Sequence, residues 1–423
     1  MRKPELLAPC GDLEKLHTAI AYGADAVYFG GERFSLRAGA GNLTRAEMDE
    51  AVRTAHARGV RCYLTLNIYP RNEDLAPLED YLRGLRPLGL DAVLVSDPAV
   101  LELVREQLPG VRIHLSTQAN AVNCGAVRFW QRQGISRVVL ARELSLEEIA
   151  EIRRRVPAEV ELEAFVQGAM CVSYSGRCLL SSFLTGRDAN RGDCAQPCRW
   201  RYHLVEAQRP GEYYPIEEDD RGTYLLNARD LCMLEHIPDL AAAGIDALKI
   251  EGRMKSVFYV ACAVGAYRRA LDAWDADPEN WRCDPAWMRM LKRASHRRFT
   301  TGFYYGPPGA AGQDTATSAR RGGRVFCGVV RGYDAGSGVA LVEQRNKMTV
   351  GDEIEIFGPD ESGFVQTLTG MEDADGAPLQ TAPHPQQMLR IRTERPVGPL
   401  YMLCKGKETH DGCTPRTGMD SVD

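Results

Sequence analysis

Four phrases recur along the chain, "AYGADAVYFGG", "PLGLDAVLVSD", "RQGISRVVLAR" and "AAGIDALKIEG". Each reads as the end of a helix, a glycine, then a short β-branched run that closes on a polar residue. Glycine there stops the helix and returns the chain into a strand. The runs "ELLAPC", "RCYLTLNIY", "RIHLSTQ" and "ELEAFVQG" fill the gaps and bring the strand candidates to eight, with helical patterns at 45–58, 76–88 and 145–156 between them. Strands alternating with helices over 1–275 predict an α/β fold, a (β/α)8 TIM-type barrel, whose usual size is about 250 residues. An open doubly wound sheet is the alternative, disfavoured because no G-x-G-x-x-G opens the first unit.

A barrel of this kind carries its chemistry at the carboxyl ends of the strands. The polar residues there are Tyr28, Asn67, Ser96, Asp97, Gln118, Asn120, Arg142, Glu143, Gln167, Lys249, Glu251 and Arg253. Asp97, which precedes Pro98, and Ser145 read as helix caps. Arg142, Gln167, Lys249 and Glu251 are the catalytic candidates.

The return after the seventh strand is interrupted. An insertion at 169–243 opens with "GAMCVSYSGRCLLS" and "GRDANRGDCAQPCRW", which place Cys171, Cys178, Cys194 and Cys198 within 28 residues. Beyond the barrel, 276–323 reads as a basic helix followed by a linker rich in Gly, Pro and Ala. Short alternating runs from 324 to 405 predict a small antiparallel β-barrel. The tail at 406–423 has almost nothing to bury and is expected to be disordered.

The chain has 423 residues, 44% of them hydrophobic and 26% charged, enough apolar material for two folded units. No stretch approaches 18 uninterrupted apolar residues and the amino terminus lacks a signal-peptide pattern, so no membrane segment and a cytoplasmic location are expected. In a reducing compartment thirteen cysteines do not read as a disulfide framework, and a close cluster points to metal or redox chemistry. The spacing C-x6-C-x15-C-x3-C lacks the paired C-x2-C knuckles of zinc ribbons. An iron–sulfur cluster is the first expectation and zinc the alternative. Arg177, Arg187, Arg191 and Arg199 offset the charge that four thiolates bring. Cys10, Cys62 and Cys262 read as core residues. Cys232 is a candidate alternate ligand, with a helix face as its plainer reading.

A net charge of −5 excludes a wholly basic nucleic-acid surface, although local patches remain. "CRWRYH" sets Arg199 and Trp200 beside the cysteines, and Arg289, Lys292, Arg293, Arg297 and Arg298 form a second basic run. No H-E-x-x-H and no G-x-S-x-G supports a peptidase.

The segment "EAFVQGAMCVSYSGRCLLSSFLTGRDANRGDCAQPCRW", with "PELLAPCGDLEKLHTAIAYGADAVYFGG", "STQANAVN", "RELSLEEI" and "LKIEGRMKS", resembles the collagenase-like peptidase family of unassigned catalytic type. More narrowly it is similar to the branch of prephenate-dependent tRNA uridine hydroxylases, through nearly the whole chain. That resemblance implies hydroxylation of the wobble uridine of tRNA to 5-hydroxyuridine, prephenate as co-substrate and an iron–sulfur centre, 4Fe-4S in relatives, on Cys171, Cys178, Cys194 and Cys198. One related branch takes its fourth ligand further on, which keeps Cys232 as an alternate. A small dicarboxylate needs cationic partners, for which Arg37, Arg142, Lys249 and Arg253 are the candidates. Asn67, Gln118, Arg199 and Trp200 join Arg37 and Arg253 as substrate-binding candidates. The expected partners are tRNA, the dicarboxylate metabolite and a paralogous subunit. The rival readings are a metal-dependent, collagenase-like peptidase and a non-catalytic RNA-binding or assembly protein with a structural metal site.

Overall fold

The computed structural model describes residues 2–35, 41–171, 173–174, 177–200, 204–205, 213–214, 228–294, 296–308, 312, 324–360 and 363–406. The chain divides into two compact units, Met1–Gly322 and Gly323–Asp423.

In the first unit β1 (Glu5–Pro9), α1 (Leu13–Ala21), β2 (Ala26–Gly30), α2 (Arg45–His56), β3 (Arg61–Leu66) and α3 (Asn72–Leu85) open a regular alternation. It continues through β4 (Ala92–Val95), α4 (Pro98–Gln107), β5 (Arg112–Leu115), α5 (Cys124–Arg132), β6 (Arg137–Val139), α6 (Leu146–Arg155) and β7 (Glu161–Ala169). The insertion then contributes α7 (Leu180–Thr185), the short pair β8 (Leu204–Val205) and β9 (Tyr213–Tyr214), and β10 (Asp230–Cys232). α8 (Ile237–Ala242), β11 (Ala247–Ile250) and α9 (Val257–Ala276) resume the alternation. β1 to β7 and β11 pair in parallel, and β11 bonds to both β1 and β7, so the sheet closes into the barrel expected from the sequence.

The glycines of the four recurring phrases do what their position predicts. Gly134 (φ 76°) and Gly244 (φ 81°) hold left-handed backbone that a side chain would strain, and at Gly244 a Cβ would also meet Arg153 Cγ at 2.5 Å. Asp97 and Ser145 are caps, as expected. The Asp97 carboxylate accepts from the amides of Ala99 and Val100, and Ser145 forms a capping box with Glu148. Both are thereby tied to helix starts.

The insertion extends the barrel sheet at the rim. β10 runs antiparallel to the end of β7, with Cys232 opposite Gln167, so Cys232 lies on a strand and the helix-face reading is corrected. That pairing is between residues 65 positions apart and left no periodic signal around Cys232. α10 (Pro285–Arg293) packs on α9, which buries Met290 and Leu291, and β12 (Phe299–Thr300) pairs with β10. Tyr304 is buried and donates to the carbonyl of Phe165 at 2.6 Å. The linker-like composition that begins at Gly302 therefore contains an aromatic anchor of the barrel.

α9 is apolar nearly all round because α1, α8, α10 and β1 cover it. Among the described residues no helix is long and apolar enough to cross a membrane.

The second unit comprises β13 (Val325–Asp334), β14 (Val339–Gln344), β15 (Met348–Thr349), β16 (Glu353–Phe357) and β17 (Phe364–Thr367). β18 (Met371–Glu372), β19 (Pro378–Leu379), β20 (Thr381–Ala382), β21 (Met388–Arg392) and β22 (Met402–Lys405) complete it. The main sheet, β17-β16-β22-β13-β14-β21-β18-β19, is antiparallel and curls round a core that includes Cys327, Val342, Ile354, Ile356 and Leu403. It is a half-barrel, open between β17 and β19 among the described pairings. Gln366 of β17 reaches across, donating to Arg392 O and accepting from Glu394 N, both at 3.0 Å.

Candidate functional site

Side chains from adjacent strand ends meet at the carboxyl end of the barrel. Asn67, just past β3, donates to Ser116 Oγ at 3.2 Å and Gln118 Oε1 at 3.4 Å; Ser116 donates to the same Oε1 at 2.5 Å, and Ser96 to Asn67 O. Asn67 and Gln118 are both buried. The Gln118 carbonyl faces outward and accepts from Tyr69 Oη and from Arg177 Nε, both at 3.0 Å, while Arg177 also donates to Tyr69 Oη at 2.9 Å. Arg177 precedes Cys178, so this contact ties the cysteine segment to the rim.

Across the mouth, Lys249 of β11 is buried and donates to Glu163 Oε1 at 2.7 Å. Its ammonium lies 4.6 Å from the Tyr28 ring centre and 5.4 Å from that of Phe165. Burial lowers its pKa, against the opposing pull of Glu163. The Arg142 guanidinium stacks on the Phe165 ring at 3.9 Å and donates to Ala169 O at 2.8 Å. Arg253, 4% exposed, donates to Thr65 Oγ1 at 2.9 Å and Ser35 Oγ at 2.8 Å. Gly30 permits this approach, since a Cβ there would lie 2.3 Å from Arg253 Nη1.

Below the mouth the barrel interior is ionic. Arg137 of β6, 1% exposed, bonds to Glu5 at 2.6 Å, Glu161 at 2.8 Å and Glu163 at 3.2 Å. Glu5 also pairs with Arg61 and accepts from Tyr63, so Arg61, Glu5, Arg137, Glu163 and Lys249 form a continuous chain through the core. Barrel interiors are ordinarily filled by branched apolar residues. His114 lies beside this chain, fully buried, edge-on to Tyr63 at 4.8 Å, and among the described residues neither ring nitrogen has a hydrogen-bond partner. Burial, then the charges of Arg137, Arg112, Lys249 and Arg61, push its imidazole well below the ordinary value. Sequence reasoning missed Glu5, His114, Arg137 and Glu163. The charged positions inside otherwise apolar strand runs were the available signal.

Among the described residues, several bonds of the cysteine segment are internal to it. Asn190 clamps Cys178 from both sides, accepting from its amide at 3.2 Å and donating to its carbonyl at 3.1 Å. The buried hydroxyl of Ser181 accepts from Ala195 N at 3.0 Å, next to Cys194. Cys178 Sγ accepts from Leu180 N at 3.3 Å and Cys194 Sγ from Gln196 N at 3.4 Å, the same two-residue pattern twice. Amide bonds to sulfur of this kind tune a metal–thiolate centre. Cys171 is exposed and Cys178, Cys194 and Cys198 are part-buried, all four free of disulfides. Among the described residues no three His, Cys, Asp or Glu side chains stand as a metal-holding group. In donor chemistry the four free thiols, two with amide hydrogen bonds to sulfur, fit a soft metal or an iron–sulfur cluster.

The remaining candidates divide. Trp200 is 44% exposed and Tyr174 50%, both near the cysteines in sequence. Gln167 accepts from Tyr267 of α9 at 3.3 Å, and Glu251 contributes its carbonyl to Tyr259 at 2.8 Å. Burial pushes the Cys232 thiol up to about 12. Arg297 is buried, with its amide on Asp230 at 3.0 Å, so it leaves the expected basic patch. Arg289 and Lys292 are exposed. Arg37 and the side chain of Arg199 lie outside the described residues.

The similarities to known proteins are extensive. The chain is 42% identical over 406 residues to "tRNA hydroxylation protein P1" of Bacillus subtilis, covering 96% of each chain. It is 39% identical to "tRNA hydroxylation protein P" of Escherichia coli, over 90% of this chain and 92% of that one. "Collagenase" of Porphyromonas gingivalis is 32% identical, over 86% of this chain and 89% of that one. The family model "Peptidase family U32" matches residues 11–314 and "Peptidase family U32 C-terminal domain" matches 323–403, which are the two units of the fold. This chain belongs to peptidase family U32.

Proposed function

We propose that this chain is an RNA-modifying enzyme that hydroxylates the wobble uridine of tRNA to 5-hydroxyuridine, with prephenate as co-substrate. The observation that carries the reading is the near full-length similarity to the Bacillus subtilis tRNA hydroxylation protein. Cys171, Cys178, Cys194 and Cys198 would hold an iron–sulfur cluster, which supplies the electron-transfer capacity that oxygen insertion into a pyrimidine requires.

The chain's own residues supply the rest. Arg142 and Arg253 bring positive charge to the mouth, where a dicarboxylate needs it. Asn67, Ser116 and Gln118 lock one another, so the rim presents a fixed polar wall. Arg177 holds the cysteine segment against that wall. Trp200 and Tyr174 are exposed aromatic faces on which an unstacked base can rest. The proposed location is the cytoplasm, with tRNA as the macromolecular partner.

The test is anaerobic purification with iron, sulfide and zinc analysis of the same sample. Iron and sulfide in similar amounts, lost in Cys171→Ala and Cys194→Ala but kept in Cys62→Ala, is the expected outcome. Zinc without iron after reconstitution would overturn the cluster.

The Porphyromonas gingivalis relative favours a second reading, a metal-dependent peptidase. Gelatin cleavage by the pure chain, lost on the same cysteine substitutions, would establish it in place of the first.

A further inference from the structure

We infer that Lys249 is an imine-forming amine that takes the carbonyl of a 2-oxo acid, with Glu163 as its proton carrier and Arg142 as the counter-charge for the acid's carboxylate. The first support is placement. Lys249 stands near the carboxyl end of the last barrel strand, where the bonding between β11 and β7 shifts register between Lys249 and Ile250. Such irregularities occur beside active sites, where they re-aim a side chain. Phe165 is the residue opposite Lys249, and its ring carries both Lys249, at 5.4 Å, and Arg142, at 3.9 Å.

The second support is the immediate environment. An amine attacks a carbonyl only in its neutral form, which desolvation favours. Lys249 has side-chain exposure of 4%, lies against the Tyr28 and Phe165 rings, and among the described residues pairs with one carboxylate, Glu163, itself fully buried. Burial lowers the amine's pKa, as this role requires. Arg137 already engages the other Glu163 oxygen at 3.2 Å, so Oε1 is the one presented to Lys249. A third is unspent polar capacity. Among the described residues, Arg142 Nε and both nitrogens of His114 are buried without partners, and His114 lies within the field of Arg137 and Lys249.

The step balances without an oxidant. The ammonium passes a proton to Glu163, and the amine nitrogen bonds to the ketone carbon. The nitrogen hands a second proton to the carbinolamine oxygen, which leaves as water with the proton that Glu163 returns; the nitrogen keeps its third proton, giving a protonated imine. Prephenate carries a ketone next to a carboxylate, so its identity as the physiological carbonyl rests on the function proposed above. The chemistry of Lys249 does not.

The experiment treats the full-length protein with pyruvate and then borohydride, and reads intact mass and a peptide map. The expected result is one reduced adduct per chain on Lys249, absent in Lys249→Arg and Lys249→Met, with circular dichroism confirming that both variants fold. Arg142→Met should lower the yield with pyruvate about tenfold and leave acetone trapping unchanged. An unmodified chain, or labelling of surface lysines that persists in Lys249→Arg, would overturn the proposal. Trapping needs neither RNA nor cluster, so its failure and the failure of the hydroxylase reading are separate results.

Discussion

The barrel core and the cysteine segment are held by opposite kinds of contact. In the core, Arg137 reaches Glu5 across 132 positions of sequence and Lys249 reaches Glu163 across 86. In the cysteine segment the bonds are local: Asn190 to Cys178 spans 12 positions, Ser181 to Ala195 spans 14, and Arg187 to Asp193 spans 6. Arg177 crosses that division, tied to Tyr69 and Gln118 of the rim. The core is thus assembled by the fold as a whole. The segment carries local bonds of its own and meets the mouth at an arginine next to one of its thiols.

Substitutions can break that division. The largest effect is expected from Cys194→Ser, which should abolish tRNA hydroxylation while leaving the barrel's urea midpoint unchanged. A collapse of the midpoint would show that the segment supports the core. Next is Arg137→Leu, which takes from the buried Glu5 and Glu163 the cation they share, leaving each with one charged partner among the described residues, Arg61 and Lys249, and should cost roughly 3 kcal/mol in urea unfolding. A neutral result would mean that the carboxylates take up protons or find new partners.

Arg177→Ala removes the tie without touching a thiol. Hydroxylation should fall several-fold with iron content kept, as measured by nucleoside mass spectrometry and metal analysis. Equal loss of both would make Arg177 part of the segment's internal fold.

The smallest effect belongs to His114. Its folded pKa is depressed, while the unfolded imidazole takes a proton near about 6.5. The unfolded state therefore binds more protons as pH falls below that value. Stability, complete above it, should decline by about 1.4 kcal/mol per pH unit until the folded pKa is reached. His114→Leu should flatten this part of the profile, because leucine takes up no proton in either state. An unchanged slope would assign the acid sensitivity to carboxylates such as Glu161, whose pKa, despite the upward pull of burial, Arg137 and Arg112 hold below the usual range.

What was legible in the sequence follows the same division. Gly134 and Gly244 announce their turns locally, and Asp97 and Ser145 announce their caps, so the eight strands and the mouth residues at their ends could be read directly. The cysteines were visible for the same reason. Partnership across the barrel has no local signature, and Glu5 with Arg137 and Glu163 with Lys249 needed the closed sheet to bring them together. Cys232 and Tyr304 have no local signature either, because their environments are set by Gln167 and Phe165 on β7.

The most direct test of the account is nucleoside mass spectrometry of bulk tRNA from cells lacking this chain, complemented with the wild type or with Cys178→Ser. The account predicts 5-hydroxyuridine-type wobble nucleosides with the wild type and none with the variant. Equal modification in both, or in neither, would contradict it.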